Sequence, residues 1–427
     1  MTKNLTINPN KMSQPAGAAL ALMGVKDMIP LWHGVQGCTA FAKVLFISHF
    51  REPMPFQNTA ISQANVIMGS DENILKALEQ INNQAEIIGL ITTGVSETSG
   101  VDLTSVIKNY KNAHPGSKVV NLNTPDFEGN LASGYANATK TLLDSLVESR
   151  SKVDPKQIAV LPGPYITPGE VERLRSIIRD FGLNPLFCPD LGDSLYGYLK
   201  EKKFSPASSG GISVSKISKL SNSCMVLSVG STMEKVAAEF AAEHCIPTLH
   251  YNSLGILEEI DHFFKTLEWL SNVSTGNKYL KMRQHYLDTL LDTDFCFHGR
   301  RVAVAGDIEF VKRWKAPLSL LEVETLGMGN VPEQDLDQGN YADFADKIME
   351  QNVDIVIGNS HVARLAEEIG KPVIRSGIPV TDRFGEPQSI RIGYEGASRL
   401  LMECANAFLE IPQHPEPYQS ELTATLV

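Results

Sequence analysis

The chain reads as an α/β protein of several units, each a mainly parallel sheet covered by helices on both faces. Three observations predict this. Short β-branched apolar runs recur along the sequence: 86–93 (EIIGLITT), 118–122 (KVVNL), 157–161 (QIAVL), 224–229 (CMVLSV), 301–305 (RVAVA) and 354–357 (DIVI). They do not alternate with polar residues, so both faces of each strand are expected to be buried. Each run is followed by a turn and then a helical pattern, the signature of crossover units. The length, 427 residues, allows two or three such cores.

The helix signals agree with this order. Thr167 is placed to cap a helix that has Pro168 at its first position and runs to about Phe181, where Gly182 supplies a left-handed stop. Further helices are expected over 231–243, 341–351 and 361–370. One stretch departs from the pattern. After the strand at 301–305, a full helix and a second strand should follow, but Pro317 is expected to interrupt any helix there. A trimmed or rearranged third unit over 309–335 is the expectation. The charged segment 148–156, with Pro155, and the helical stretch 258–291 mark boundaries, giving blocks 1–155, 156–298 and 299–427. The Pro-rich tail after Ile411 reads as irregular and exposed.

Composition narrows the function. With 49 acidic and 38 basic residues the net charge is −11, which opposes adhesion to nucleic acid. No apolar run reaches 18 residues, so no membrane helix is expected. Residues 1–10 lack the cationic start and apolar stretch of a signal peptide, and a cytoplasmic protein is expected. Glycine-rich nucleotide fingerprints are missing, so neither dinucleotide nor ATP binding is indicated. The six cysteines, Cys38, Cys188, Cys224, Cys245, Cys296 and Cys404, are scattered without a C-x-x-C pair. Neither a disulfide framework nor a self-contained metal site is expected, so any cluster would need ligands from another chain.

The segment 31–52, LWHGVQGCTAFAKVLFISHFRE, carries the chemistry. Gly34 and Gly37 precede Cys38, and an apolar helix opens at Thr39. A thiol near a helix start meets backbone N–H groups and the positive end of the macrodipole, which favour the metal-ligating thiolate. Glycines let a bulky group approach the backbone. A buried structural cysteine is the competing reading.

HGVQGC with the following HFREP (49–53) resembles the N-terminal signature of nitrogenase component 1 β-type subunits. ITTGVSETSGVDL (91–103), VLPGPYITPGEVERLRSIIRDFGLNPLFCPDLGDSL (160–195) and DIVIGNSH (354–361) with GKPVIRSGIPVTDRFG resemble further family segments in the same order. The resemblance implies three Rossmann-like domains around a shared cleft. It also implies three β-subunit cysteines on the eight-iron cluster, of which only Cys38 is present. Phe56 or Gln57 occupies the second position and Gly94 the third.

That departure resembles the β-like subunit of the scaffold on which the iron–molybdenum cofactor is matured. The resemblance implies an α2β2 complex with an α-like subunit and an interface [4Fe–4S] cluster with Cys38 as its single ligand from this chain. Gly34 and Gly37 would line the site. The cofactor precursor would be bound mainly by the partner, with transient contacts to the nitrogenase iron protein and to a precursor-donor protein. This chain would carry no catalytic residue of its own. A catalytic β subunit of a nitrogenase-like reductase and the vanadium counterpart of the scaffold are the alternatives, alongside an α/β binding protein with a structural Cys38.

The remaining polar candidates carry blander expectations. His33 is expected to shape the loop, and His49, Arg51 and Glu52 to form a structural or interface cluster. Ser96, Glu97 and Thr98 lie at a strand end, where Glu97 is a site residue or a helix cap. Asn359, Ser360 and His361 are expected to cap a helix, and Tyr165 and Thr167 occupy a similar loop. The five cysteines other than Cys38 are expected to be buried small hydrophobes.

Overall fold

The computed structural model describes residues 12–100, 102–199, 205–321, 323–328 and 341–411. The N-terminal decapeptide, the segment 329–335 and the tail beyond Ile411, on which expectations were placed, lie outside the described residues. Three four-stranded sheets follow one another along the chain. The first holds β1 (Met28–His33), β2 (Gln57–Asn58), β3 (Ile87–Thr92) and β4 (Val119–Leu122). The second holds β5 (Asp154–Pro162), β6 (Asn184–Phe187), β7 (Ser223–Val229) and β8 (Thr248–Tyr251). The third holds β9 (Arg301–Ala305), β10 (Glu324–Met328), β11 (Ile355–Gly358) and β12 (Val373–Arg375).

Every strand pair described is parallel. The spatial orders are β2-β1-β3-β4, β6-β5-β7-β8 and β10-β9-β11-β12. All three sheets therefore share one winding: the first and third strands of each are central neighbours, and the chain leaves them in opposite directions. Such a switch point opens a crevice beyond the carboxyl ends of the two strands. The central strands β1, β3 and β11 are buried throughout and β5, β7 and β9 over most of their length, which is why these stretches run apolar without alternation.

Local rules place the helices. Pro168–Asp180 starts with a reciprocal Thr167–Glu170 capping box, and Gly182 beyond its end has φ +72°. The helix Gln14–Met23 has a different logic. It is almost wholly buried and made of small and aliphatic residues, and it lies against the helix Leu131–Leu146. The two backbones meet because Gly17 and Gly134 lack side chains.

The expected disruption of the third unit is corrected. A twelve-residue helix, Ile308–Ser319, contains Pro317 and leads to β10 in the standard way. Pro317 sits in the last turn, where the missing N–H removes only the bond to the Arg313 carbonyl and no further turn depends on it. The long helical stretch 258–291 divides into Leu257–Ser271 and Asn277–Thr293, with Asn272 left-handed between them at φ 54°. The last described helix, Gly393–Leu409, packs back on Asn277–Thr293. One large apolar cluster runs through all three sheets.

Candidate functional site

Cys38 lies at the switch point of the first sheet. The chain leaves β1 through Gly34 and Val35 and enters the helix Gln36–Phe50, with Cys38 as its third residue and Val35 as a cap that offers no side-chain bond. The Cys38 N–H donates to the Val35 carbonyl at 3.2 Å. Two neighbours fix this loop. From β2, the Asn58 amide donates to the Val35 carbonyl and to Thr39 Oγ1. From the end of β3, the Thr93 hydroxyl donates to the His33 carbonyl at 3.1 Å.

The two glycines have different roles. A Cβ at Gly34 would stand 2.7 Å from Thr93 Cγ2 and Oγ1, so Gly34 is required by the packing of one loop on the other. Gly37 has nothing within 4 Å of such a Cβ and presents an open, exposed backbone beside Cys38. Cys38 itself is exposed. Its thiol is pushed up by partial burial and by the nearby Asp126 carboxylate, against a lowering by its backbone hydrogen bond. The expected thiolate preference at the helix start is therefore corrected for the chain by itself. A bound metal ion supplies the charge that deprotonates such a thiol.

The positions read as departures are built into the local structure. Phe56 is core, its ring 6.0 Å from Trp32 and 6.1 Å from Phe46. Gln57 pairs with Leu31 in the sheet. Gly94 opens a short helix and donates its N–H to Asp126 at 3.0 Å. Among the described residues no group of three or more His, Cys, Asp or Glu side chains can hold a metal ion.

Outward from Cys38 the helix Gln36–Phe50 exposes apolar side chains. Phe41 is 73% exposed and Val44 65%, with Ile47 beyond them. Single exposed apolar residues are common on a solvated helix, but a stripe of them is not.

His33 and His49 are held by structural contacts. His33 is fully buried, with Nδ1 2.9 Å from Thr59 Oγ1 and Nε2 3.1 Å from Ser70 Oγ, so both ring nitrogens are engaged. Burial lowers its pKa to about 4. His49 Nδ1 accepts the Val380 N–H at 3.1 Å, and Arg51 donates to the Thr381 carbonyl at 2.9 Å. These two residues therefore fasten the first sheet's helix to the loop after β12.

Burial, with a smaller push from the Arg51 charge and opposed by the Glu386 charge and by the Val380 carbonyl 3.3 Å from the same Nδ1, lowers the His49 pKa from 6.5 to about 4. A base with a lowered folded pKa contributes fully above the unfolded value and loses that contribution as pH falls. Stability is expected to drop between pH 6.5 and 4 by on the order of 3 kcal/mol from this residue. Chemical denaturation of wild type and His49→Gln across that range checks it: the variant keeps an acceptor and should lack this part of the slope.

The other strand-end candidates also resolve. The Glu97 carboxylate turns in to accept the Thr92 hydroxyl, and Asp102 caps the next described helix. Ser96 closes the Thr93 turn. Asn359 Oδ1 accepts the N–H groups of His361 and Val362, as expected of a cap. Thr167 caps its helix, while the Tyr165 hydroxyl donates to Asp307 at 3.2 Å. Cys188, Cys296 and Cys404 are buried, but Cys224 is half-buried and Cys245 is exposed. The expectation that all five are buried is corrected: Cys245 lies in the left-handed turn after Glu234–Glu243, at φ 52°.

A model of the family described as nitrogenase component 1 type oxidoreductase matches residues 13–409. The chain belongs to that family. Among nitrogenase component 1 type relatives, a protein of Nostoc sp. (strain PCC 7120) named "Nitrogenase iron-molybdenum cofactor biosynthesis protein NifN" is 33% identical, over 96% of this chain and 94% of its own length. A protein of the same name from Klebsiella pneumoniae is 31% identical, over 98% of this chain and 95% of its own length. The solved structure "Nitrogenase Cp1 at pH 6.5" superposes with a TM-score of 0.88 at 25% identity, covering 96% of this chain and 94% of that one. In this nitrogenase component 1 type chain, sequence reading passed over Asn58, Thr93 and Asp126 as the residues around the Cys38 loop. All three follow or end strands of the first sheet, and a polar residue at a strand's carboxyl end was the available signal.

Proposed function

We propose that this chain is the β-like subunit of a scaffold complex that matures the nitrogenase iron–molybdenum cofactor, and that Cys38 gives one thiolate to a [4Fe–4S] cluster shared with an α-like subunit. The observation that carries this reading is a lone exposed thiol at a switch point, bordered by an exposed apolar helix face. A [4Fe–4S] cluster takes four thiolates. The described residues offer no group of three or more metal-ligating side chains, so on this reading the other thiolates come from another chain, and the apolar face supplies the surface on which that chain docks. The names of the relatives support the same assignment.

When bound, the cluster supplies one-electron relay from the nitrogenase iron protein. This chain's residues hold the ligand loop: Asn58 and Thr93 pin it, and Gly37 leaves its outer face open. The precursor cluster, delivered by a donor protein, is held mainly in the α-like partner of an α2β2 complex. No helix among the described residues is long and apolar enough to cross a membrane, and the complex is assigned to the cytoplasm.

Iron content and low-temperature EPR of the anaerobically co-purified complex test the reading, comparing wild type with Cys38→Ala. The expected result is a lost or altered [4Fe–4S] signal in a complex that stays assembled. An unchanged cluster in the variant would make Cys38 structural and sink the assignment.

A further inference from the structure

The switch point of the second sheet differs from that of the first, because its crevice is already filled from within the chain. The filling group is Glu309, on the first turn of the helix Ile308–Ser319 that follows β9. Its side chain crosses from the third sheet's unit to the carboxyl ends of β5 and β7 and is only 2% exposed. Oε2 accepts the Thr232 N–H at 3.0 Å, and Oε1 accepts the Tyr165 N–H at 3.4 Å. Thr232 lies in the turn that runs into the helix Glu234–Glu243, so its N–H belongs to the positive end of that helix.

Both strands are followed by glycine, and both glycines are shaped around the carboxylate. A Cβ at Gly163, after β5, would stand 2.3 Å from Oε1 and 2.5 Å from Oε2. At Gly230, after β7, it would stand 2.5 Å from Oε1, and Gly230 also has φ +97°. A crevice at a switch point, glycine at the strand ends and N–H groups at a helix start are the means by which open parallel sheets hold anionic ligands. The Arg313 guanidinium donates to Glu170 and acts on Glu309 through its charge alone, which burial outweighs.

We propose that the second sheet's switch-point crevice is a carboxylate-binding site whose ligand, Glu309, is supplied by the third unit of the same chain. Seating of the third unit on the second is then a binding event, with glycines and N–H groups on one side and a tethered carboxylate on the other. The site is selective for a small carboxylate, because the Gly163 and Gly230 backbones leave no room for a larger group. Glu309→Ala deletes one methylene and the carboxylate, the heavy atoms of acetate, and leaves a hole of that shape.

Thermal unfolding of the full chain, wild type and Glu309→Ala, in chloride, formate, acetate or benzoate at matched ionic strength tests this. The variant is expected to melt roughly 5 °C lower in chloride. Formate or acetate should restore at least half of that difference, saturably, whereas benzoate should not, and wild type should gain nothing specific from either small anion. Equal responses of variant and wild type, or neither formate nor acetate better than chloride, would overturn the proposal. If Glu309→Ala yields no soluble protein in chloride, the same comparison is read as refolding yield in formate against chloride, and equal yields overturn it. Gly163→Ala supplies an independent arm, either as a melt or as refolding yield. It should destabilise wild type, cost little more in the Glu309→Ala background, and abolish the formate response, whereas additive losses would overturn the proposal.

Discussion

Replacing Arg391 with alanine lowers the unfolding free energy by about 3–5 kcal/mol. Arg391 Nη1 and Nη2 donate to the two Glu386 oxygens at 3.0 and 3.1 Å, a bidentate pair inside the protein. Glu386 also accepts from the Ser376 hydroxyl at 2.7 Å and the Gly377 N–H at 3.1 Å. Burial alone would raise the Glu386 pKa, but the Arg391 charge and these donors outweigh it and hold it below 4.5. Without Arg391 the burial penalty remains and its compensation goes, leaving a buried unpaired carboxylate.

The sign of the pH dependence follows. In wild type the depressed Glu386 contributes above pH 4.5 and loses that contribution as pH falls through its folded pKa. In Arg391→Ala the carboxyl is raised, so acid relieves it. The deficit should be largest near neutral pH and shrink on acidification. Urea denaturation at several pH values measures this. Adding Glu386→Gln should recover part of the loss, since the orphaned charge goes while Ser376 and Gly377 keep an acceptor. A deficit independent of pH would contradict the account.

An alanine at Gly17 or at Gly134 is expected to cost at least about 3 kcal/mol, at the upper end for overpacking. A Cβ at Gly17 would stand 1.8 Å from the Leu131 carbonyl oxygen, and one at Gly134 would stand 2.0 Å from that of Gln14. The obstacle in each case is backbone of the opposing helix, so no rotamer change relieves it. The helices must separate, and Gln14–Met23 then exposes Leu20 and Leu22, which are fully buried. Soluble yield and thermal melts check the expectation. Gly116→Ala is the control: nothing lies within 4 Å of its Cβ, and its change should stay within about 0.5 kcal/mol.

Much of this architecture is written locally. The runs at 87–92, 154–162, 223–229, 301–305 and 355–358 form central strands and 119–122 an edge strand, and the apolar character that dominates the central runs reflects burial on both faces. The cap Thr167–Pro168 and the stop Gly182 are equally legible, since each depends on residues within a few positions. The Cys38 segment was legible through its family signature. Other elements were not. β1 contains Pro30 and ends in His33, and β2, β6, β8 and β12 are two to four residues long. Runs that short carry too few side chains to establish a period.

The positions of the functional groups depended on contacts that local pattern does not encode. That Cys38 stands at a switch point follows from the order β2-β1-β3-β4, which long-range pairing decides. Pro317 is carried inside its helix without disturbing the strand beyond, because the turn it weakens is already the last. Glu309 has the sequence appearance of a solvated acidic residue in a first helical turn, yet it is buried between units by glycines some 80 and 146 residues away. Periodicity and capping act over a few residues, so they determined which segments are strands and helices. Burial, strand order and the pairing of charges arise only when distant segments meet, so the tertiary structure decided which thiols stay exposed and which carboxylates are enclosed.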